Sequence, residues 1–558
     1  MLTKVNLALV FALLIAGFLH PISAITQDLG RHLLTGEIIL KTFSVPKTNL
    51  FSYTYPDFTF INHHWLSEVI FYLTYQIAGF NGLLIFTILI VTVAFALVFF
   101  FSLKQKGGIF AITIVSILYL RVLFERTDVR PEIFSFLFLS VFIMILYKYR
   151  EHYTKWIFLL PFLELLWVNT HIYFPIGIAI LGLFFIDLII KHRKNLRSRY
   201  IGIFAVILLL STFVTILNPN GISGALYPFR VFQNYGYAIE ENQTVFFLWN
   251  YFGGKTTILY FFISVAALFS TLLLTLKKTR PIDWLLTIVF TGLAANAERN
   301  FPLFVFGTFI PFSRNLSIIF SFIKIKPLVI TLLLLVFVLW QIKEVSQIRP
   351  IGLGIETGAK NAVDFFIANN LKGPVFNNFD IGSYLEYRLY PKEKVFIDGR
   401  PEAYPASFIQ QIYIPMQIDQ KLFDEQDKKY HFNTIFFSHT DMTPWAQTFL
   451  RQIVQHKDWH IVYLDDYVII LSRTTKEKTS RKSLQISNLD RANKNSLLRL
   501  ANFFRIVDWQ EHEEKMYQEL LKIDPNSCIA LSNLTNMLSS RNDPGAAVYT
   551  QKFQQFCN

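Results

Sequence analysis

About eleven apolar runs, separated by short polar loops, fill the first 342 residues and leave this chain few folds to choose from. A helix that crosses a bilayer needs roughly 17 to 25 mostly apolar residues, because hydrocarbon offers the backbone no outside hydrogen-bond partner. The runs lie near 5 to 23, 81 to 103, 108 to 124, 131 to 147, 156 to 170, 172 to 190, 200 to 217, 257 to 276, 282 to 297, 300 to 320 and 327 to 342. With 53% hydrophobic and 16% charged residues over 558 positions, the chain is too apolar for a soluble multidomain protein. It reads as an α-helical polytopic membrane protein, and its 58 Phe and 25 Tyr suit lipid contact and interfacial belts.

The net charge of +13 would suit nucleic acid or a membrane surface, and the placement of the charges decides between them. With Lys4 inside, alternate loops carry Lys104 and Lys106; Lys148, Arg150 and Lys155; Lys191, Arg193, Lys194, Arg197 and Arg199; Lys277, Lys278 and Arg280; and Arg314, Lys324 and Lys326. That is the positive-inside pattern, with the N-terminus inside and the C-terminus outside. The charge is therefore a topology signal, and nucleic acid is excluded as a partner. The assignment requires that residues 65 to 80 do not cross; carrying Glu68 and Gln76, they read as an external interfacial helix. Two readings of the first run stay open. Lys4, an apolar core and Ile22-Ser23-Ala24 resemble a cleavable signal peptide, whereas a retained anchor fits an odd number of spans.

On this topology the outer segments are 24 to 80, 121 to 130, 218 to 256, a turn around 295 to 300, and everything after 342. Acids recur in three of them. The first holds Gln27-Asp28-Leu29-Gly30-Arg31-His32, the second holds Glu125, Arg126, Asp128, Arg130 and Glu132, and the third holds Glu240-Glu241-Asn242-Gln243-Thr244. Carboxylates can hold Mg²⁺ or Mn²⁺ through oxygen, with Asp28 and Asp128 as the candidate ligands, and such an ion neutralises a phosphate leaving group. Arg31, Arg126, Arg130 and Arg299 are candidate phosphate clamps, since a planar guanidinium meets two phosphate oxygens at once. Each acid taken alone is as well explained by solvation or by pairing with Arg126, Arg130 or Arg299. His32, beside Asp28 and Arg31, is a candidate substrate contact. His63, His64 and His171 lack the i, i+4 spacing of a zinc pair and read first as structural.

Beyond residue 342 the composition turns soluble. Residues 373 to 379 read as a strand ending at Asp380-Ile381-Gly382, 383 to 390 as a helix and 394 to 398 as a second strand. Residues 433 to 438 follow as a strand and 443 to 456 as a helix, then a hairpin turns at Asp465-Asp466. An α/β domain over 343 to 475 results. A Lys/Ser/Arg-rich linker from 474 to 487 leads to helices near 493 to 506, 509 to 522 and 526 to 540 and a short last one, within a tail of 476 to 558. Leu500-Ala501-Asn502-Phe503, Tyr517, Leu520-Leu521 and Asp524-Pro525-Asn526 resemble one tetratricopeptide-like hairpin. A unit that short needs a neighbour, and packing on the α/β domain is the expected outcome. Cys528 and Cys557 are the only cysteines; they encode no disulfide framework or zinc cluster, and a single bridge between them stays open.

Four of these places together resemble the GT-C superfamily of membrane glycosyltransferases, the oligosaccharyltransferase catalytic subunit more than the protein O-mannosyltransferases. Asp28, Arg31, His32 and Gly36 are similar to that group's first acidic loop. Asp128 and Glu132, flanking Arg130-Pro131 with Glu125 before them, resemble its Asp-Asn-Glu stretch, and Glu240-Glu241-Asn242-Gln243 its later external Glu loop. Asn378-Phe379-Asp380-Ile381-Gly382, followed by Val395-Phe396-Ile397-Asp398, resembles its Trp-Trp-Asp-Tyr-Gly motif without the two Trp and the Tyr. The resemblance covers residues 1 to about 475. It implies a polyprenyl-linked sugar donor, a protein or glycan acceptor and an acceptor-binding role for Asp380.

The expected function is sugar transfer on the outer face, with Asp28 as base or metal ligand, Asp128 or Glu125 as second acid, and Glu240 or Glu241 supplied by a loop. The alternative is a non-catalytic envelope assembly protein that recruits partners through its outer domains. A transporter fits less well. It would bury ionisable groups within its spans or show duplicated, broken helices, whereas Glu164, Asp187 and Glu298 lie mostly toward span ends.

Overall fold

A chain that leaves water must pair its own backbone, and the apolar runs accordingly fold as helices. The computed structural model describes residues 2–23, 28–105, 107–195, 198–230, 235–237, 239–322, 326–473 and 486–557. Ala24 and Gln27 of the first loop, Lys106, Arg197 and Lys324 of the basic loops, and most of the 474 to 487 linker lie outside the described residues. The first helices are α1 (Leu2–Phe18), α2 (Leu29–Thr42), α3 (Trp65–Lys104), α4 (Ile109–Leu123) and α5 (Glu132–Glu151). Next come α6 (Leu160–Thr170), α7 (Pro175–Lys191), α8 (Arg199–Val214), α9 (Gly221–Leu226) and α10 (Val245–Tyr251). The helical part closes with α11 (Thr256–Leu274), α12 (Pro281–Asn296), α13 (Phe301–Phe320) and α14 (Pro327–Ile348).

Among the described residues, 5 segments are long and apolar enough to cross a membrane: Trp65–Lys104, Glu132–Glu151, Thr256–Leu274, Glu298–Phe320 and Pro327–Ile348. Leu2–Phe18, Ile109–Leu123, Arg199–Val214 and Pro281–Asn296 are apolar but shorter. The chain is a mostly helical, multi-pass membrane protein. Within α3 the helix breaks at Gly79, where φ is 62° and ψ is −157°. No atom lies within 4 Å of the place a Cβ would take there, so the need for glycine is one of backbone conformation and not of space. The break separates residues 65–78 from the long apolar stretch that follows, next to the boundary expected at residue 80.

Polar bonds gather the loops into two groups at opposite ends of the bundle. At one end Arg150 Nε meets Asp187 2.6 Å away, and Asp187 also accepts the Ile282 amide at 3.1 Å. Asp283 there accepts from the Tyr147 hydroxyl at 2.8 Å and from Arg314 at 3.0 Å. These bonds tie the basic ends of α5, α7, α12 and α13 together. The acidic loops meet at the other end, where the site is built.

The soluble part carries α15 (Thr357–Ala368), β1 (Val375–Asn377), α16 (Phe379–Leu389), β2 (Thr434–Ser438), β3 (His460–Leu464) and β4 (Val468–Ser472). The strands form one mixed sheet in the order β1-β2-β4-β3, with β1 and β2 parallel and the other pairs antiparallel. Side chains alternate between its two faces, as the strand period of two requires. Val375, Phe436, Val468 and Ile470 join Val363, Phe366 and Leu385 of α15 and α16. Phe376, Ile435, Phe437 and Leu471 join Phe449, Ile453 and the tail.

The strand expected over 394 to 398 does not join this sheet. Asn377 takes its place in the ladder by donating to the Ile397 carbonyl at 2.7 Å and accepting the Phe396 amide at 2.9 Å. Val395 instead bridges Ser52 of the first outer loop. That loop runs along the α/β unit, with Tyr53 donating to the Val375 carbonyl at 2.9 Å and Asn49 to that of Ala403 at 3.1 Å. Helix α2 lies between α3 and α16. Gly30 permits the approach, since a Cβ there would collide with the Ser383 backbone.

Among its described residues the tail has four helices, Lys494–Ile506, Gln510–Ile523, Cys528–Ser540 and Ala546–Phe556. Leu497, Leu500, Phe503 and Phe504 bury themselves in the core that holds Phe449 and Leu464, so the tail packs on the α/β unit. The bridge left open by the sequence is formed, Cys528 to Cys557.

Candidate functional site

The site grows from the turn between α4 and α5. Arg126 donates Nε and Nη2 to the two oxygens of Glu132, each at 2.8 Å, and Nη1 to Glu241 from the third loop. Arg130 Nη1 lies 3.1 and 3.4 Å from the two Glu241 oxygens. Arg299 reaches the same loop through Asn242 Oδ1 at 3.0 Å and is braced by the Tyr173 hydroxyl at 3.2 Å. Burial works to raise the Glu241 carboxyl, but Arg126, Arg130 and Arg299 outweigh it and hold the group well below the usual carboxylate range. Four loops meet here, from residues 126, 173, 241 and 299.

Asp128 leaves this set on one side. Its partner is Arg349, 3.0 Å away at the end of α14, which also takes Thr127 and His20 within 3.2 Å. Burial raises the Asp128 carboxyl, and Arg349 and Arg130 bring it below its ordinary value. Glu125 turns elsewhere, to Lys255 and Thr257, each at 2.7 Å. Lys255 also holds Glu298 at 3.0 Å. Glu240 is exposed, so of the two adjacent acids it is Glu241 that enters the arginines.

Arg31 and His32 point inward from α2. Arg31 Nη1 meets Glu68 at 3.2 Å, His32 Nδ1 meets the same oxygen at 2.9 Å, and Asn62 takes the other oxygen at 2.6 Å. Glu68 is 0% exposed, whereas its sequence context marks it only as a polar residue of an interfacial helix. The imidazoles continue as a ladder. His32 and His64 have ring centroids 5.4 Å apart, His63 and His64 3.9 Å, and His64 and His171 5.4 Å. Burial keeps all four below the ordinary imidazole value, with His63 lowered to about 3. His171 is set by Ser135, 2.8 Å from its Nδ1, and Ser135 accepts from Trp167 at 2.7 Å.

Asp28 stands where α2 begins, against the α/β unit. A Cβ on Gly399 would lie 2.8 Å from Asp28 Oδ1, so the Asp398-Gly399-Arg400 turn is its wall. That turn is rigid: Asp398 accepts the Arg400 amide at 2.9 Å, Arg400 Nε and Nη2 at 2.8 and 2.7 Å, and the Tyr404 hydroxyl at 2.8 Å. Arg400 also donates to Asn49 at 2.7 Å, fastening the turn to the first loop. Asp380 lies close by. Burial, Asp441 and Asp28 push its carboxyl up to about 8.

The structure thus brings Asp28, Asp128, Glu132, Glu241, Arg126, Arg130, Arg299 and Asp380 toward one face and sends Glu125 to Lys255. A divalent ion shared by Asp28 and Asp128 would need carboxylate oxygens about 2.0 to 2.6 Å from it. Asp128 is instead paired with Arg349 and Glu241 with two arginines, and among the described residues no group of three or more His, Cys, Asp or Glu could hold a metal ion. The donor set as arranged does not fit such an ion. Sequence reasoning missed Arg349, Tyr173, Asp441 and Gly399, which carry no local signal and matter only through what they touch.

Fold and site together define a multi-pass membrane protein whose charged loop site is walled by a small α/β unit. No protein-family model matches the sequence, and no curated protein matches it. Among solved structures, the archaeal oligosaccharyltransferase AglB from Archaeoglobus fulgidus, in complex with an inhibitory peptide and a dolichol-phosphate, is similar with a TM-score of 0.56. The identity is 9%, over 93% of this chain and 86% of that one. The Archaeoglobus fulgidus oligosaccharyltransferase in the apo form gives a TM-score of 0.54 and 10% identity, over 85% of this chain and 75% of that one. The chain shares the fold of these two structures.

Proposed function

We propose that this chain is an integral membrane glycosyltransferase, moving a sugar from a polyprenyl phosphate or diphosphate donor to an acceptor on the outer face. The observation that carries the reading is the meeting of the loops at 126, 241 and 299 in one arginine-rich site, with Asp28 set against the Gly399 turn of the α/β unit. It gains support from the fold shared with a protein seen holding a dolichol-phosphate and a peptide. An acceptor hydroxyl between Asp28 and Asp380 would be held by Asp380 and lose its proton to Asp28. Its oxygen bonds to the sugar's anomeric carbon as the carbon–oxygen bond to phosphate breaks, and the electron pair leaves on the phosphate. Arg126, Arg130 and Arg299 face the charge that develops there. Glu125 and Glu240 have no step in this scheme.

The finer topology belongs to the same reading: eleven spans, the N-terminus inside and residues 343 to 558 outside. The gathering of basic loops at one end and acidic loops at the other supports it, as does the Cys528–Cys557 bridge, which persists in an oxidising compartment. We divide the chain into a membrane unit to 342, an α/β unit from 343 to 475 and a tetratricopeptide-like tail from 476 to 558.

The test is donor turnover by purified protein with radiolabelled polyprenyl-linked sugars. Wild type is expected to transfer sugar, and Asp28→Ala to lose at least ~100-fold, the scale of a removed general base. No transfer with any donor, or undiminished transfer in both Asp28→Ala and Asp128→Ala, rejects the reading.

A further inference from the structure

We propose that Arg130 is the built-in cation of this site: its guanidinium pairs with Glu241 and, with Arg126 and Arg349, supplies the positive charge that a divalent ion would otherwise bring to the acids of these loops.

Arg130 Nη1 takes both oxygens of Glu241, at 3.1 and 3.4 Å. Asp128, two residues earlier, and Asp28, from the first loop, act on the same guanidinium through space. The other charges close the set. Arg126 holds Glu241 from a second side and Arg349 holds Asp128 from outside. Arg126, Arg130 and Arg349 already neutralise Glu241 and Asp128, and their charges repel a divalent ion that would need those oxygens within about 2.6 Å. Pro131 follows Arg130 and confines its backbone to extended conformations, which limits the directions its side chain can take.

The chemistry follows from the residue type. A guanidinium is charged at every physiological pH, offers paired N–H groups to phosphate and sheds water more readily than an ammonium. In the transfer proposed above, the anomeric carbon–oxygen bond to phosphate breaks, the acceptor oxygen bonds to that carbon and Asp28 takes the acceptor proton. Arg130 then meets the leaving phosphate, and no divalent ion is needed. That consequence rests on the proposed donor; the placement of Arg130 among the acids does not.

The experiment counts Mn²⁺ by electron paramagnetic resonance on purified full-length protein after chelation and titration. Wild type is expected to bind no more Mn²⁺ than Asp28→Asn/Asp128→Asn. Arg130→Asp, which puts an oxygen donor among three acids, is expected to gain one Mn²⁺ per chain and to lose it again with Asp128→Asn. Arg130→Asn replaces Arg130→Asp if the latter does not fold, and if neither folds the wild-type count decides. One Mn²⁺ per wild-type chain, removed by Asp28→Asn or Asp128→Asn, overturns the proposal, as does a folded Arg130 variant that gains none.

Turnover separates this from the function itself. Transfer that persists in chelator supports both, and transfer lost in chelator and restored by Mn²⁺ overturns the Arg130 proposal alone. Absence of transfer with any donor rejects the glycosyltransferase reading and leaves the Mn²⁺ count to judge Arg130.

Discussion

Gly399 faces Asp28 so closely that a Cβ added to it would stand 2.8 Å from Asp28 Oδ1. The wall of the candidate base is therefore bare backbone from another part of the chain. Gly399→Ala must push either the Asp398–Arg400 turn or the Asp28 carboxylate aside. Since a displacement of about 1 Å in a reacting group can cost on the order of 100-fold, transfer is expected to fall by at least ~10-fold. Thermal unfolding should change little, and a variant with wild-type turnover would refute the prediction.

Glu68 answers for Arg31, His32 and Asn62 at once. Glu68→Ala takes away the carboxylate that the buried Arg31 guanidinium meets directly, and removing one partner of a buried pair costs about 3–5 kcal/mol. Glu68→Gln keeps the shape and part of the hydrogen bonding and should lose less. Unfolding of the purified protein in detergent orders the two; equal stability of all three proteins would show that the network is dispensable.

Asp380 should leave a mark on pH dependence. Burial, Asp441 and Asp28 push its carboxyl up to about 8, whereas in the unfolded chain it titrates near ~3.9. Between those values the native state holds a proton that the unfolded state has released. Its contribution to stability is therefore greatest below the unfolded value and falls as pH rises to about 8. Asp380→Asn should flatten that slope and stabilise the protein at alkaline pH, as read by melting temperatures across the range. An unchanged slope would place the buried proton elsewhere.

The backbone at Gly79 lies in the left-handed half of conformational space, φ 62°. Gly79→Ala meets no neighbouring atom, so its whole effect is backbone strain of about 1–3 kcal/mol, in a region that only glycine visits freely. A destabilisation well above that would mean that Cβ contacts also contribute.

Cys528 and Cys557 close a loop with a sequence separation of 29. A bridge over that length stabilises by about 3–4 kcal/mol, mainly by restricting the unfolded chain. Protein purified without reductant should react with no maleimide until reduced, and reduction should lower the protease resistance of residues 528–557 before that of the sheet. Two reactive thiols in the unreduced protein would contradict the pairing.

Hydrophobic runs and the charges between them are local properties, and what depends on them was legible without coordinates. The helices, the alternation of basic and acidic loops and the hairpin at Asp465-Asp466 belong here. The Asp465 turn is local in the same sense, since its carboxylate accepts the amides of Tyr467 and Val468. Residues 394 to 398 misled because the same alternation that suits a ladder strand also suits a segment paired with Ser52.

By itself, then, the sequence determined that this chain is a polytopic membrane protein with acids gathered in the loops between alternate helices and a small α/β unit after them. Hydrophobicity and periodicity act over a few residues and need no partner. Only the tertiary structure decided which acid meets which cation: Glu241 and not Glu240 with Arg126, Glu125 with Lys255, Arg31 with Glu68. Arg126 and Glu241 are 115 residues apart, and Arg349 and Asp128 are 221 apart. Packing of the helices sets such meetings, and a carboxylate's local sequence carries no record of the guanidinium that will reach it.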